Sequence, residues 1–199
     1  MATAAESSTP TRAAEGKAAR RIRIVEVAMH MAAEGGYEAV QMRAVAERAD
    51  VSLGTIYRYF KSKDDLLLAG LSGWVHLLRR QLQAEGADGD TAADRLAGVL
   101  TRAARASEGA PVLMGALITA LSTTNPEAVK YKLQVESEVQ AMIVAAIGND
   151  EVDAAGVARV VGHVWLSAIS RWVGGLAQAG SVEAELRHAV TMLVPEPDA

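Results

Sequence analysis

The segment VSLGTIYRYFKSK, residues 51–63, holds three of the five tyrosine and phenylalanine residues in a chain of 199. Tyr57, Arg58 and Tyr59 alternate two rings with a cation, Phe60 follows directly, and two lysines come soon after. Two explanations are open. The rings form the core of a small helical unit, or they belong to a surface that contacts a charged polymer.

The residues around this segment have the spacing of two short helices joined by a tight turn. The apolar pattern of QMRAVAERADVSLGTIYRYF, residues 41–60, predicts helices at Met42–Ala49 and Ser52–Tyr59. Asp50 lies between them, where the turn needs a residue that tolerates a positive φ, and Asp does so more readily than most residues. The segment therefore predicts a helix–turn–helix.

The second helix has features of an element that reads DNA. Arg58 can pair with guanine in the major groove, and the ring of Tyr57 can contact a thymine methyl group. Gly54 costs about 1 kcal/mol of helix stability relative to alanine, which favours close approach to a DNA strand. We expect Tyr59 and the lysines to hold phosphates. Phe60 precedes the next helix and is better explained as a core residue.

The predicted DNA-binding residues lie in the first helix of this motif, in the second helix, and just after it. They are Gln41, Arg43, Ser52, Leu53, Gly54, Thr55, Tyr57, Arg58, Tyr59, Lys61 and Lys63. Ser52 also serves as the predicted N-cap of the second helix.

The charge distribution supports a nucleic-acid partner although the net charge of the chain is −4. Residues 1–63 carry ten Lys and Arg against seven acids, a net charge of +3, whereas residues 64–199 carry ten against seventeen, a net charge of −7. A basic head on an acidic body fits a protein that meets phosphates at one end. A DNA-packaging protein would need positive charge throughout, so the acidic body argues against that class.

The rest of the chain reads as helical, and the predicted fold class is all-α with a three-helix head and five or six further helices. We expect a disordered arm at 1–16, a DNA-binding domain at 17–62, and a ligand-binding and dimerisation domain at 63–199. Predicted helices start near Lys17, Lys63, Thr91, Asn125, residue 154 and residue 182. Gly35-Gly36 should close the first of them, and the helix from residue 154 should run to about residue 178. A capping box at Ser62-Lys63-Asp64-Asp65 opens the long one, which runs to about Gln83.

The sequence shows no sign of an enzyme, a cofactor site or a membrane protein. It has no cysteine, no apolar run long enough to span a bilayer and no secretory signal, so we expect a cytoplasmic protein. The four histidines are 46, 87 and 25 residues apart, a spacing that places no two on one helix face as a metal site would need. No catalytic motif is present, and a helical enzyme without one is the remote alternative.

The region 157–176 is apolar around an unusually wide arc of a helix, roughly 200° against the ~100° stripe of a surface helix. Such a helix buries two surfaces, one of them against another element or another subunit. Two helices per chain, this one and the last, predict a four-helix dimer interface, with a monomeric bundle as the alternative. The predicted interface residues are Val157, Val161, Val164, Ala168, Trp172, Leu186 and Val190.

Apolar stripes elsewhere in the body predict a ligand cavity. The predicted ligand-binding residues are Trp74, Met114, Leu117, Ile118, Leu121, Met142 and Trp165. Most apolar stripes are simply core, and that remains the alternative for each of them. His76 and His163 are candidates to meet the polar end of a ligand from a buried face, and structural histidines otherwise.

The head resembles a known family. GGYEAVQMRAVAERADVSLGTIYRYFKSKDDLL, residues 35–67, is similar to the DNA-binding head of the TetR family of bacterial repressors. Within that family the head particularly resembles an actinobacterial repressor of sterol catabolism, and VWLSAISRWV, residues 164–173, is a second match in the body. Asp50 stands where the family usually has glycine, and Leu53 where many members have a polar residue.

The resemblance implies a homodimer joined through its last two helices, an operator of double-stranded DNA, and a cavity for a small hydrophobic effector. It implies a repressor without catalytic activity that the effector releases from DNA. The similarity to the sterol-catabolism repressor suggests a sterol-derived acyl coenzyme A (acyl-CoA) as effector. The alternative is a regulator of another lipid or hydrophobic-compound pathway, such as efflux or fatty-acid metabolism.

Overall fold

A computed structural model describes residues 12–148 and 153–194, and over these ranges the backbone forms helices and no strand. The helices are α1 (Arg12–Ala39), α2 (Met42–Arg48), α3 (Leu53–Tyr59), α4 (Lys63–Glu85), α5 (Ala92–Glu108), α6 (Pro111–Leu121), α7 (Val129–Ile147), α8 (Ala154–Val173) and α9 (Ser181–Leu193), with a 3₁₀ turn at Pro126–Ala128 before α7. This confirms the predicted all-α fold with a helix–turn–helix near the N-terminus.

The head is built from α1, α2, α3 and the start of α4 around a small core. Its largest fully buried side chains are Ile24, Ile56 and Phe60. The helix α1 begins at Arg12, so residues 12–16 are helical and do not belong to the predicted disordered arm. Alanine and glutamate are good helix formers, and they extend α1 beyond the predicted start. Residues 1–11 lie outside the described part of the chain.

Two local features of the head follow directly from the sequence. Asp50 has φ +50° and is the only non-glycine residue with a positive φ among the described residues, as the tight turn requires. The Ser52 hydroxyl caps α3 by accepting a hydrogen bond from the Thr55 amide, 3.1 Å away. Near the end of α1, the non-helical angles of Gly35 and Gly36 kink the helix where the prediction ended it.

The predicted capping box at residues 62–65 forms only in part. The Ser62 hydroxyl accepts a hydrogen bond from the Asp65 amide, as predicted. The Asp65 carboxylate, however, accepts its hydrogen bond from the Lys61 amide rather than from Ser62. Asp65 is buried, and its carboxylate therefore ties the connection between α3 and α4 to the first turn of α4. A reciprocal capping box does exist at the start of α5, between Thr91 and Asp94.

The body is a bundle in which α4 links the two parts of the chain. It packs on α1 of the head and on α6 and α7 of the body, while α6 also packs on α1. On the far side α8 and α9 lie together, and α5 packs on α9 and α7. The helix α8 ends at Val173, short of the predicted 178, because Gly174 and Gly175 follow it. Among the described helices, none combines the length and apolarity that crossing a membrane would require.

Candidate DNA interface and ligand cavity

The helix α3 presents a partly apolar surface to solvent. Leu53 is 39% exposed and Tyr57 is 45% exposed, and Gly54 and Arg58 are exposed beside them. A Cβ placed on Gly54 would lie 3.9 Å from its nearest neighbour, the Ser52 Oγ. The packing of the protein therefore leaves room for a side chain at Gly54. Packing within the protein therefore does not require a glycine here, and its presence suits a helix that approaches another molecule closely.

The three rings of the opening segment have different environments. Phe60 is 1% exposed, which confirms that it belongs to the core. Tyr59 is half-buried, and its hydroxyl donates a hydrogen bond to the Lys17 carbonyl over 3.4 Å. Tyr57 points away from the core. The first explanation offered by the sequence therefore holds for Phe60, and Tyr57 has the exposure that the second explanation requires.

Several of the predicted DNA-binding residues already have partners within the protein. Arg43 pairs with Glu47 on the exposed face of α2 at 3.3 Å. The Gln41 side-chain amide donates to the Glu38 carbonyl over 3.0 Å. The Ser52 hydroxyl lies 2.9 Å from that of Thr55, so the helix cap occupies both of these side chains.

Lys63 lies in a small charged cluster where the kinked end of α1 meets the start of α4. Its ammonium is 3.3 Å from the Glu38 carboxylate and 3.7 Å from the centre of the Tyr37 ring. The Tyr37 hydroxyl donates to Asp64 over 2.6 Å. Burial, together with this hydrogen bond and the charge of Asp64, raises the pKa of Tyr37 to about 12, so the phenol stays neutral and the bond persists at physiological pH.

A cavity of about 350 Å³ lies in the body between α4, α6, α7 and α8. Its wall is mostly apolar and includes six of the seven residues predicted to bind a ligand, which are Trp74, Met114, Leu117, Ile118, Leu121 and Trp165. The seventh, Met142, is 2% exposed and lies in the core outside the wall. A helical stripe identifies residues that face inward but does not separate those that face a cavity from those that face another helix.

Apart from Trp74 and Trp165, sequence reasoning missed the wall residues that α4 and α8 contribute. Leu71, Val75, Ala158, Gly162 and Ile169 all line the cavity. They carry no chemical signal of their own, and only the crossing of α8 over α6 and α7 brings them together. Trp165 is 5% exposed, and its indole Nε1 has no hydrogen-bond partner among the described residues, an unusual situation for a buried indole.

The rim of the cavity between α7 and α8 is polar. Arg159 and His163 lie one turn apart on α8, and both are exposed. Neither forms an ion pair within the described part of the chain. Lys132, also at the rim, is engaged, because its ammonium donates to the Thr123 carbonyl over 2.6 Å. His163 was predicted to reach a ligand from a buried face, and the structure instead exposes it at the rim.

A row of polar contacts joins α4 to α7 beside the cavity. The Glu138 carboxylate lies 3.0 Å from His76 Nδ1 and 2.5 Å from Arg79 Nε, and Ser72 donates to Gln134 over 3.3 Å. Burial acts to raise the pKa of Glu138, but the hydrogen bonds from His76 and Arg79 outweigh it and lower that pKa below its usual value. His76 is 43% exposed, so the buried position predicted for it is wrong, and it lines a second cavity between α4 and α7 rather than the apolar one.

The structure buries most of the predicted dimer-interface residues inside the subunit. Five of the seven are less than a tenth exposed, and these are Val157, Val161, Ala168, Leu186 and Val190. A side chain without exposed surface in one subunit has none to offer a partner, which corrects the prediction for these five. Val164 and Trp172 remain half-buried. The exposed apolar residues near them are Val160, Leu166, Leu176 and Met192.

Within residues 12–148 and 153–194 there is no cluster of three or more His, Asp or Glu side chains that could hold a metal ion. For binding, the described structure offers the exposed surface of α3, the apolar cavity of the body, and a second, more polar cavity of about 550 Å³ whose wall includes Arg21, His76 and Glu138.

Comparison with protein families gives two matches that follow this division. A model of bacterial regulatory proteins of the tetR family matches residues 24–69. A model of the tetracyclin repressor-like C-terminal domain matches residues 89–193. The first match contains the helix–turn–helix, and the second contains most of the cavity wall.

Individual proteins are similar along most of the chain. The HTH-type transcriptional repressor KstR of Mycobacterium tuberculosis strain H37Rv is 37% identical over 186 residues, which cover 92% of this chain and 84% of that protein. A crystal structure of a TetR transcriptional regulator from Rhodococcus sp. RHA1 superimposes with a TM-score of 0.79 at 29% identity, covering 89% of this chain and 96% of the other. The regulator FadR of Bacillus subtilis in complex with stearoyl-CoA superimposes with a TM-score of 0.62 at 20% identity, covering 87% and 97%.

Proposed function

The chain belongs to the TetR family of bacterial regulatory proteins, and from that premise we propose that it binds a palindromic DNA operator as a homodimer and leaves it when a hydrophobic effector enters the body. The relatives it matches along most of their length are transcriptional repressors. Repression acts on chromosomal DNA, so the proposal includes a place in the cytoplasm.

The observation that carries the DNA half is the exposed surface of α3. Arg58 and Tyr57 project from a helix of the right size to enter a major groove, where an arginine can read guanine and a ring can contact thymine. The core does not need either side chain. A site composed of two half-sites about one turn of DNA apart suits a two-fold dimer.

We propose that the dimer interface is formed by the exposed apolar residues of α8, of α9 and of the segment between them. Val160 and Leu166 are 42% and 47% exposed on α8, while Leu176 and Met192 are 73% and 72% exposed. Large apolar side chains with this much exposed surface on α8, on α9 and in the segment between them favour an interface with a second copy of the chain. Half-buried Val164 and Trp172 can border that interface.

The proposal of a hydrophobic effector rests on the apolar cavity and its polar rim, where Arg159 and Lys132 lie together with Glu136. An amphiphile would bury its apolar body among Trp74, Met114 and Ile118 and leave an anionic group near Arg159 and His163. An acyl-CoA has this form, and FadR of Bacillus subtilis binds one. The resemblance to a repressor of sterol catabolism favours a sterol-derived acyl group, with a fatty acyl group as the alternative.

Release would work through α4, which runs from the DNA-contacting head into the cavity wall. An effector that displaces α4 changes the distance between the two recognition helices of a dimer. It has only to bind the displaced state better, by a coupling free energy of typically about 1–3 kcal/mol. The contacts of His76 and Arg79 with Glu138 tie α4 to α7 and therefore set part of the resistance to this displacement.

The DNA half is tested by comparing Arg58→Ala with Lys61→Ala. Loss of a guanine contact should cost about 1–3 kcal/mol and relax preference at one base position in each half-site. Loss of a phosphate contact should weaken operator and random DNA alike. An equal loss for both variants on both kinds of DNA would show that Arg58 reads no base.

The effector half is tested by titrating sterol acyl thioesters and fatty acyl thioesters of similar size into the protein–operator complex. Gly162 gives a sharp variant, because a Cβ there would lie 3.7 Å from Val139 Cγ1 inside the cavity wall. Gly162→Leu should fill the cavity and block release while operator binding stays intact, and Gly162→Ala is the control. Release by fatty thioesters alone would reject the sterol acyl group, and release of Gly162→Leu at unchanged concentration would reject the cavity.

A further inference from the structure

The cations of the head divide into two sets according to whether a carboxylate neutralises them. Three are paired with carboxylates, and these are Arg43, Arg48 and Lys63. Within residues 15–63, where side chains are described, the other six have no carboxylate partner, and these are Lys17, Arg20, Arg21, Arg23, Arg58 and Lys61. The paired set lies on α2 and at the start of α4, and the unpaired set lies on the first part of α1, at the end of α3 and just after it.

Direct contacts join the two parts of the head that carry the unpaired set. The Tyr59 hydroxyl at the end of α3 donates to the Lys17 carbonyl on α1. The Arg21 guanidinium lies 5.3 Å from the centre of the Phe60 ring. The N-terminal part of α1 is therefore held against the C-terminal end of the recognition helix, which carries Arg58 and is followed by Lys61.

Arg21 and Arg23 are held in place by contacts within the head, because Arg21 stacks on Phe60 and the Arg23 Nε donates to the Ala49 carbonyl over 3.0 Å. Lys17 and Arg20 have no such contact among the described residues, and both are exposed. Among the side chains of α1 that the structure describes, these two long cations remain able to reach a ligand outside the protein.

We propose that Lys17 and Arg20 clamp DNA phosphates just beyond the base pairs that α3 reads, so that each subunit covers a longer stretch of DNA than its helix–turn–helix alone. This inference rests on the proposed DNA binding. An exposed cation already paired with a carboxylate gains little from a phosphate, since it must give up the first partner, whereas an unpaired cation releases condensed counterions at no such cost. The clamp fixes the position of the head on the duplex and reads no base.

The variant for the test is the full-length chain with Lys17→Gln and Arg20→Gln. Glutamine retains a long, helix-compatible side chain and removes the charge. The matched control is Arg80→Gln with Arg187→Gln, which removes two equally exposed and unpaired arginines from α4 and α9 of the body. Both pairs change the net charge by the same amount, so general electrostatic attraction to DNA is matched.

The operator is first selected from a pool of random duplexes with the wild-type protein. Affinity is then measured against salt on the selected core alone and on the core extended by half a turn, about 5 base pairs, on each side. On the extended duplex, the plot of log K against log salt should be less steep for Lys17→Gln/Arg20→Gln than for the wild type. The magnitude of its negative slope should decrease by about 0.9 for each lost phosphate contact, or about 3.6 for the four contacts of a dimer. The control should keep the wild-type slope, and on the core alone all proteins should agree.

The outcomes separate this inference from the proposed function. If the wild type selects an operator and Lys17→Gln/Arg20→Gln matches the control on the extended duplex, the clamp is rejected while DNA binding stands. If no sequence is selected, the operator proposal fails, and the same salt slopes on mixed-sequence DNA decide the clamp. A loss of affinity that is as large on the core as on the extended duplex would also reject it, because it would place the contacts inside the half-site.

Discussion

The head and the body assign structure and function to residues in opposite ways. In the head, core packing and surface exposure fall to different neighbouring residues, since Phe60 is 1% exposed in the core and Tyr57 is 45% exposed on the surface. In the body, one residue can pack in the core and line the cavity, as Leu117 and Met114 do. The ligand proposed for the head is larger than the domain and stays outside it, whereas the ligand proposed for the body must be enclosed.

This difference determines which substitutions can separate stability from binding. A surface residue of the head can be changed without opening the core. A wall residue of the cavity cannot, since shortening it leaves a larger void in the packing. The following variants test this contrast.

The largest effect should come from the rings of the head. Phe60→Ala should lower the free energy of unfolding by about 3–5 kcal/mol, because it empties a fully buried site. Tyr57→Ala should lower it by less than about 1 kcal/mol and yet abolish specific DNA binding. Urea denaturation followed by circular dichroism measures the first quantity, and operator titration measures the second. Equal destabilisation by the two variants would show that Tyr57 also supports the core, so that stability and binding are not separate in the head.

In the body, Leu117→Ala should lower the free energy of unfolding by about 2–5 kcal/mol and also raise the effector concentration needed for release. Leu117 is 1% exposed and lines the cavity. The matched control is Leu100→Ala, since Leu100 is fully buried but not part of the wall. The control should lose similar stability and keep its effector response. A Leu117→Ala protein with an unchanged response would mean that core and cavity are separable in the body as well.

The polar row between α4 and α7 should give a pH-dependent effect. The pKa of Glu138 is lowered in the folded state, so its contribution to stability is full above the ordinary value of 4.5 and is lost as the pH falls through the lowered pKa. Glu138→Gln should therefore lower the free energy of unfolding by about 1–3 kcal/mol at neutral pH and by progressively less in acid. Denaturation at several pH values measures this, with exposed Glu127→Gln as the control. A difference that does not shrink in acid would remove the charge of Glu138 from the explanation.

The smallest effect should have opposite signs for stability and binding. Gly54→Ala should raise the free energy of unfolding by about 1 kcal/mol, because alanine favours helix and the protein has room for the methyl group. The same methyl group should weaken operator binding. Gly73→Ala, on α4 where a Cβ also meets nothing, should stabilise the chain and leave DNA binding unchanged. Unaltered DNA binding by Gly54→Ala would show that α3 does not approach DNA closely at this residue.

The accuracy of the sequence-based prediction follows the same contrast. The helix–turn–helix and the positive φ of Asp50 depend on residues close in the chain, and the structure confirms them. It also confirms the burial of Phe60, which α1 helps to cover. The starts of α4 and α5 were predicted well because the capping residues Ser62 and Thr91 mark them, whereas the predicted end of α8, at about residue 178, lies beyond Gly174 and Gly175. Errors arose where a distant residue competes for a local partner, as when the Asp65 carboxylate bonds to Lys61 rather than completing a capping box.

Helical periodicity and turn chemistry are local properties, so the fold class, the motif that presents Tyr57 and Arg58, and the inward-facing stripes of the body can be read from the order of the amino acids. Which inward-facing residues surround a cavity and which fill the core depends on the packing of the helices, which places Met142 in the core and Gly162 in the wall. The same packing covers five predicted interface residues within their own subunit. It also holds the start of α1, where Lys17 and Arg20 have no carboxylate partner among the described residues, against the recognition helix. These properties depend on how helices cross and which side chains meet between them, and the period of a single helix does not contain that information.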